Sequence, residues 1–197
     1  MASNLRSLLK ELRNSLAATL FLSALVCGLH PALVWPLGQG LFPDKAAGSL
    51  LVSEGEVLGS SLLARDFRGA SYFHPRPSAA GSGYDASRSG GTNLGPLSKR
   101  LMDQVRGRVE VYRRENGLPA DALVPADAVT SSASGLDPHI SVANALIQAR
   151  RVAEARGMTL EIILRRIKTH TEGRTLGILG EPRVNVLLLN LDLDGRL

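Results

Sequence analysis

The longest apolar stretch of the chain lies near its amino terminus. No charged residue occurs between Arg13 and Asp44, and the apolar part of this stretch covers residues 16–37. A helix of about 22 residues is about 33 Å long, which matches a bilayer core of about 30 Å. Residues 15–37 are therefore predicted to form a transmembrane helix, which includes Leu16, Phe21, Leu25 and Trp35.

A cleaved signal peptide is the main alternative to a retained helix. Its apolar run would be shorter and would end in a small-x-small cleavage site. A lipoprotein signal would need a small residue before its cysteine, whereas Val26 precedes Cys27. A retained helix fits better, because Pro31 lies near its outer end and Trp35 suits the aromatic belt at the interface.

Flanking charge predicts which side of the membrane each end of the helix occupies. Basic residues outnumber acidic ones in the amino-terminal tail, with Arg6, Lys10 and Arg13 against Glu11. Positively charged flanks stay in the cytoplasm. Residues 1–14 are thus predicted to be a cytoplasmic tail, and residues 38–197 an extracytoplasmic soluble domain.

The pattern beyond residue 37 changes from short strands to helices. The runs "SLLV" and "VLGSSLLA" predict strands, and "SYF" follows after Gly69. Helical spacing of apolar residues then predicts three helices, which cover residues 97–117, residues 142–156 and a segment that begins at Thr159. The closing "VNVLLLNLDLD" alternates as a strand with one apolar face does. This order predicts one mixed domain of the α+β class.

Residues 74–96 form a segment dense in Pro, Gly and Ser between the strands and the first helix of this domain. Structureless connections of this length are usually functional or disordered. Composition alone leaves two interpretations open, a mobile loop and an interaction loop.

Charge and cysteine content narrow the function classes. The net charge is +5, but the basic residues form no Lys/Arg-rich run and are not interleaved with aromatic residues. We therefore expect no nucleic-acid binding. Cys27 is the single cysteine, so a disulfide framework and a cysteine-based metal site are not expected.

Motifs for nucleotide binding and hydrolysis are missing from the sequence. The chain has no G-x-x-x-x-G-K-[ST], G-x-G-x-x-G, H-E-x-x-H or G-x-S-x-G. In the polar stretch "SGLDPHIS", Asp137 is predicted to cap a helix with Pro138 at its first position and Ser141 as a second cap downstream. His139 is then a surface or interface residue. A hydrolase that uses Ser134, His139 and an Asp stays an alternative, because geometry and not sequence defines such a triad.

Three long blocks of the sequence carry a family resemblance. They are "YFHPRPSAAGSGYDASRSGGTNLGP", "VTSSASGLDPHIS" and "GEPRVNVLLLNLDLD". Placed in this order behind a single membrane helix, they resemble the C subunit family of the bacterial Kdp potassium-transporting P-type ATPase, and the likeness covers nearly the whole chain.

The resemblance implies a non-catalytic subunit of a complex in the bacterial inner (cell) membrane. The implied partners are a channel-like K⁺-binding subunit, a P-type ATPase subunit and a small single-helix subunit. ATP and K⁺ would be handled by the complex, so the resemblance implies no cofactor of this chain's own.

The family's C subunit is assigned a role as catalytic chaperone, which raises the ATP affinity of the ATPase subunit. Gln148 is then a weak candidate for a nucleotide contact. The predicted topology places the domain outside the cell and ATP inside. We therefore favour a supporting role in assembly and activity, in which the domain braces the outer face of the channel-like subunit.

The candidate interface residues come from the first two blocks: His74, Arg76, Tyr84, Asp85, Gly90, Gly91, Asn93, Pro96, Asp137 and His139. We expect Gly91→Val or Asn93→Ala to leave the free domain folded and to weaken assembly. Two other protein classes stay open, a membrane-anchored extracytoplasmic hydrolase and a sensor domain for a small ligand.

Overall fold

The amino-terminal unit of the protein is one long helix. The computed structural model describes residues 2–197, with side chains from residue 5 onward. Helix α1 (Ala2–Ser23) continues through a π-helical turn (Ala24–Leu29) into α2 (His30–Leu41), and the short α3 (Pro43–Ala46) follows. Leu5–Leu41 is long and apolar enough to cross a membrane.

The predicted membrane segment, residues 15–37, lies inside this helix, which extends further in both directions. Where the bilayer begins and ends along the helix stays a prediction. Residue 1 of the predicted tail lies outside the described residues.

Pro31 accounts for the wide turn in the middle of this helix. Proline has no N–H, and its ring clashes with the carbonyl four residues earlier in a regular α-helix. The turn before Pro31 is widened, so that the His30 N–H donates to the carbonyl of Leu25, five residues earlier. Such π-helical turns are rare and often occur at functional sites.

The second unit, Leu50–Leu197, holds two small sheets. Strands β1 (Leu50–Ser53) and β2 (Glu56–Ser60) form an antiparallel hairpin. Strand β5 (Arg183–Asn185) lies between β3 (His139–Ser141) and β4 (Thr171–Glu172) and is antiparallel to both. The predicted α+β class is confirmed.

Five helices complete this unit: α4 (Lys99–Glu115), α5 (Ala126–Val129), α6 (Val142–Arg156), α7 (Leu160–Thr169) and α8 (Val186–Leu193). The side-chain caps of the longer ones each accept the N–H three residues further on, and they are Ser98, Ser141, Thr159 and Asn185. Gly157 ends α6 with a φ of +64°, a conformation that favours glycine. The three predicted helices are confirmed as α4, α6 and α7.

The core lies where α6 and α7 pack together and against β5 and α8. Small residues on α6 let α7 approach closely, and Ile163 and Ile167 of α7 fill the space. The main cluster of buried residues is Phe73, Ile140, Ala145, Ala149, Val152, Ala153, Ile163, Ile167, Val184, Val186 and Leu189. A second cluster joins Leu58 of the hairpin to Leu187 and Leu191 of α8.

The closing block is mostly a helix, so its prediction as a strand was wrong. Val186 and Leu189 face the main cluster, whereas Leu187 and Leu191 face the hairpin. A helix buried on two sides needs apolar residues in both directions, and leucine is a strong helix former. The alternation of apolar and polar residues in this block was therefore not evidence for a strand.

Asp137 does not cap a helix, so this prediction was also wrong. Its carboxylate accepts the N–H of His139, two residues later, at 3.0 Å, which makes a tight turn. Residues 139–141 pair with β5, and α6 begins only at Val142 with Ser141 as its cap. The second cap predicted at Ser141 is confirmed.

Residues 61–98 contain no helix or strand, and the expected strand at "SYF" is absent from this described segment. Phe73 is nevertheless fully buried. The side-chain amide of Asn190 accepts the Phe73 N–H and donates to the Phe73 carbonyl, both at 2.9 Å. Asn190 thus bonds to both backbone groups of Phe73, as a neighbouring strand would.

We predict that Asn190→Ala destabilises residues 50–197 by about 2 to 4 kcal/mol, because it leaves two buried backbone groups without partners. Urea unfolding followed by circular dichroism measures this change. Leu123→Ala is the control, since Leu123 is 92% exposed. Equal stabilities of the two variants would contradict the role given to Asn190.

Candidate partner-binding face

Two of the three sequence blocks meet in the structure. The segment 74–96 lies against residues 131–137, and hydrogen bonds join the two. The N–H of Gly90 donates to the carbonyl of Ser134 at 2.8 Å, and the Ser89 hydroxyl donates to the same carbonyl at 3.0 Å. The Ser78 hydroxyl donates to the carbonyl of Gly135 at 2.6 Å. We call these two segments together the paired-loop face.

Two glycines allow the close approach of these segments. A Cβ atom on Gly91 would lie 2.9 Å from the Ala133 carbonyl oxygen. A Cβ atom on Gly135 would lie 2.6 Å from the Gly90 carbonyl oxygen, and Gly135 also has a φ of +68°. Neither position has room for a side chain without movement of backbone. The segment 74–96 is therefore packed as part of the domain.

Tyr84 holds the tip of the longer loop. Its hydroxyl donates to the carbonyl of Arg76 at 2.8 Å, and its backbone N–H donates to the Ser78 hydroxyl at 2.8 Å. Burial raises the pKa of Tyr84 to about 12, so the hydroxyl stays protonated and able to donate. Asp85 accepts bonds from the backbone and hydroxyl of Ser87, which closes the next turn.

A charged cluster lies beside the paired-loop face. Arg76 is 3.2 Å from one oxygen of Asp137, and His139 Nδ1 is 3.2 Å from the other. His139 Nε2 is 3.7 Å from Glu172, which also pairs with Arg183 at 2.9 Å. These side chains are partly exposed, so they can take part in polar contacts with another molecule.

The electrostatics of this cluster favour an ionised Asp137. Burial alone would raise its pKa, but the hydrogen bonds from the side chain and backbone of His139, together with nearby positive charge, outweigh burial. The charges of His139 and Arg76 act in the same direction, and the pKa of Asp137 lies below its ordinary value.

Gln148 is buried on α6, and its side chain has no hydrogen-bonding capacity left. Its oxygen accepts the His74 N–H at 2.7 Å and an Arg151 N–H at 2.8 Å. Its nitrogen donates to the His74 carbonyl at 3.2 Å and to Asn144 at 2.9 Å. An amide has two acceptor and two donor positions, and all four are used. This arrangement makes Gln148 a structural residue and argues against a nucleotide contact.

His74 begins the longer loop beside a cleft of about 410 Å³ that α4 and this loop line together. Its Nε2 lies 2.9 Å from the carbonyl of Gly69, and its Nδ1 lies 3.7 Å from Glu115. Burial, with the nearby charge of Arg151, lowers the pKa of His74 below its ordinary value. The imidazole is therefore neutral at neutral pH and serves as a hydrogen-bonding group.

The geometry does not assemble the groups of a hydrolase around "SGLDPHIS". The Ser134 hydroxyl binds the Leu136 N–H and Ser132, whereas His139 faces Asp137 and Glu172. Serine activation needs a hydrogen bond from the hydroxyl to the imidazole. Within the described residues, no group of three His, Cys, Asp or Glu side chains is placed to hold a metal ion.

The ten predicted interface residues fall into several groups. Gly90 and Gly91 lie where the paired loops meet, and Tyr84 and Asp85 hold the tip of the longer loop. Arg76, Asp137 and His139 form the charged cluster, and His74 lines the cleft. Asn93 and Pro96 are exposed near the start of α4. Their roles in binding a partner stay predictions.

Sequence reasoning missed a second exposed feature, which we call the apolar turn (residues 174–181). Leu176, Ile178 and Leu179 are exposed at its tip, with 86%, 74% and 57% of their surface accessible. The Thr175–Leu179 bridge and the ion pair between Arg174 and Glu181 at 2.8 Å hold it. The glycines of "TLGILG" indicate a turn, but sequence alone does not show whether the apolar residues of a turn are buried or exposed.

The fold and this face define a class of protein, a single-span membrane protein with one α+β domain. Residues 12–195 match the sequence model of the family described as KdpC, the K⁺-transporting ATPase c chain. The chain therefore belongs to the KdpC family.

Its relatives agree over nearly their full length. A potassium-transporting ATPase KdpC subunit from Mycobacterium tuberculosis is 51% identical over 94% of this chain and 98% of its own. The protein of the same name from Nitratidesulfovibrio vulgaris is 51% identical over 95% of each chain. That from Rhodospirillum rubrum is 50% identical over 96% of this chain and 97% of its own.

The close approach at Gly91 adds a stability cost to the expectation that Gly91→Val leaves the free domain folded. We now predict that Gly91→Val lowers the unfolding free energy of residues 50–197 by about 1 to 3 kcal/mol, because the side chain overpacks against the Ala133 backbone. Gly95→Val is the matched control in the same loop, since nothing lies within 4 Å of its Cβ position. Urea unfolding measures both. Equal stability of the two variants would show that residues 131–137 move aside at little cost.

Proposed function

We propose that this protein is the C subunit of an ATP-driven potassium uptake pump and that it supports the assembly and activity of the complex without catalysing a reaction itself. Its membership of the KdpC family is the observation that carries this proposal. Relatives named as potassium-transporting ATPase KdpC subunits match it over 94–95% of its length, which supports the same role here. Its partners would be a channel-like K⁺-binding subunit, a P-type ATPase subunit and a small single-helix subunit.

Several features support a non-enzymatic role. The chain has no phosphate-binding loop, and the side chain of Gln148 is fully bonded within the domain. Ser134 and His139 bind different groups, which disfavours the hydrolase alternative. ATP hydrolysis and K⁺ selection would therefore belong to the partner subunits, and no cofactor of this chain is proposed.

We place the amino terminus in the cytoplasm and the domain outside it. In this arrangement the domain and ATP lie on opposite sides of the membrane. A chaperone effect on ATP affinity would then have to pass through the membrane parts of the complex. The direct role of the domain would be to brace the outer face of the channel-like subunit.

The apolar turn is the surface best suited to that bracing. Exposed leucine and isoleucine side chains at the tip gain stability when a partner covers them, and the ion pair at the base limits their freedom beforehand. The turn has no aromatic residue, and its one cation is paired, so it lacks the features of a membrane-inserting loop. A protein partner with an apolar groove is the occupant that we propose.

The topology is tested by labelling engineered cysteines in a Cys27→Ser background with a membrane-impermeant maleimide. Ala120→Cys, at an exposed position of the domain, should react in intact cells. Ser7→Cys, in the amino-terminal tail, should react only after permeabilisation, because positive flanks stay inside. The reverse pattern would contradict the orientation and the bracing role.

The role of the apolar turn is tested by recovery of partner subunits with the affinity-tagged full chain from native membranes. We expect Ile178→Asp to lower recovery of the channel-like subunit about tenfold, the effect of losing one binding hot spot. Potassium-stimulated ATPase activity should fall in parallel. Leu123→Asp is the control, because Leu123 is 92% exposed on a different loop.

Normal recovery with Ile178→Asp would remove the apolar turn from the interface but leave the subunit assignment intact. Failure of the unaltered chain to recover any ATPase subunit would contradict the assignment itself.

A further inference from the structure

His30 is an ionisable side chain in the stretch of the long helix between Arg13 and Asp44, which contains no Asp, Glu, Lys or Arg. It lies at the start of α2, between Leu29 and Pro31, and is exposed on the helix surface. Residue 37, the outer limit of the apolar stretch, is seven residues further on, about 10 Å along the axis. An imidazole does not reach this far, so His30 would face the hydrocarbon and not the headgroups.

The widened turn gives the helix a groove beside His30. A shallow concave surface of about 390 Å³ is lined by Leu25, Val26, Leu29, His30 and Leu33. The π-helical turn Ala24–Leu29 supplies the first three of these residues. Pro31 has no N–H, so the preceding turn also has one backbone donor fewer than a regular helix. The unusual backbone and the unusual side chain thus occur at the same place.

Lipid cannot satisfy the imidazole. In either neutral tautomer it has one N–H donor and one nitrogen acceptor. No hydrogen bond or ion pair of the His30 side chain occurs within residues 5–197. Polar side chains within membrane spans face protein or water-filled cavities and bond there, because an unpaired polar group in hydrocarbon is costly.

We propose that the groove beside His30 is the surface on which a membrane-spanning helix of a partner subunit docks, and that this helix carries a polar side chain which hydrogen-bonds the imidazole. The apolar residues of the groove provide packing, and His30 sets the depth and the face of contact. This inference rests on the proposed function, because it needs a partner in the same membrane.

The test compares three forms of the affinity-tagged full chain, expressed with its partner subunits and extracted in mild detergent. His30→Leu removes the hydrogen bonds and makes the helix more apolar, so its insertion into the membrane is not endangered. His30→Gln keeps a donor and an acceptor. The double variant His30→Leu with Ala32→His moves the imidazole by two residues, to the opposite face at nearly the same depth.

We expect His30→Leu to lower the recovery of partner subunits about fivefold per recovered chain, the effect of losing one intramembrane hydrogen bond. His30→Gln should restore most of the recovery, and the double variant should not. The amount of each chain in the membrane, measured by immunoblot, normalises the comparison.

Normal recovery with His30→Leu would overturn the inference and would indicate that the imidazole contacts lipid or water. Full recovery with the double variant would overturn the assignment of the face. In both cases the unaltered chain would still recover its partners, which separates these results from a failure of the proposed function.

Discussion

The buried backbone of residues 73 and 74 needs hydrogen-bond partners that no neighbouring strand supplies. Two helix side chains meet this need, since Asn190 binds both backbone groups of Phe73 and Gln148 binds both backbone groups of His74. Two unpaired groups at each residue would be costly in the interior. Because these amides hold the chain here, the long segment that follows starts from a fixed point.

The position of the paired-loop face follows from this anchor. From His74 the chain passes Arg76, which reaches Asp137, and then Tyr84, which bonds back to the Arg76 carbonyl. The glycines that meet residues 133–135 complete the contact. A loop that is ordered before a partner arrives loses less conformational entropy on binding. The packing therefore suits a subunit whose role is to present a surface.

The tertiary structure changes the role assigned to Gln148. The family resemblance made it a weak candidate for a nucleotide contact. In the structure it joins α6 to the backbone of His74 and also bonds Asn144 and Arg151 of the same helix. A ligand could use its side chain only by breaking one of these bonds. If a Gln148 variant lost function, the cause could therefore be a destabilised fold as readily as a lost contact with a ligand.

His30 and the apolar turn both expose side chains that their surroundings solvate poorly, hydrocarbon in the first case and water in the second. An imidazole is out of place in hydrocarbon, and exposed leucine and isoleucine side chains are out of place in water. In each case another molecule could cover the group and remove the cost. Both features are expected of a chain that belongs to a family of membrane-complex subunits.

Local signals in the sequence were sufficient to predict the apolar membrane helix, helices α4, α6 and α7, the cap of α6 at Ser141, the start of α7 at Thr159 and the α+β class. Charge-free length, helical spacing, and a Ser or Thr three residues before its N–H partner all act within a few residues. The three long blocks were also sufficient to indicate the family. The charged residues of the paired-loop face were identified as candidates, but their arrangement was not.

Tertiary structure alone decided the rest. Phe73 and Asn190 are 117 positions apart, so no local pattern links them. The helix at Val186–Leu193 depends on two apolar clusters that contact it from opposite sides. Residues 139–141 form a strand and not the first turn of a helix because they pair with β5. The sequence by itself determined the elements whose stabilising contacts are local, whereas contacts between distant segments decided the conformation of its loops and of its last helix.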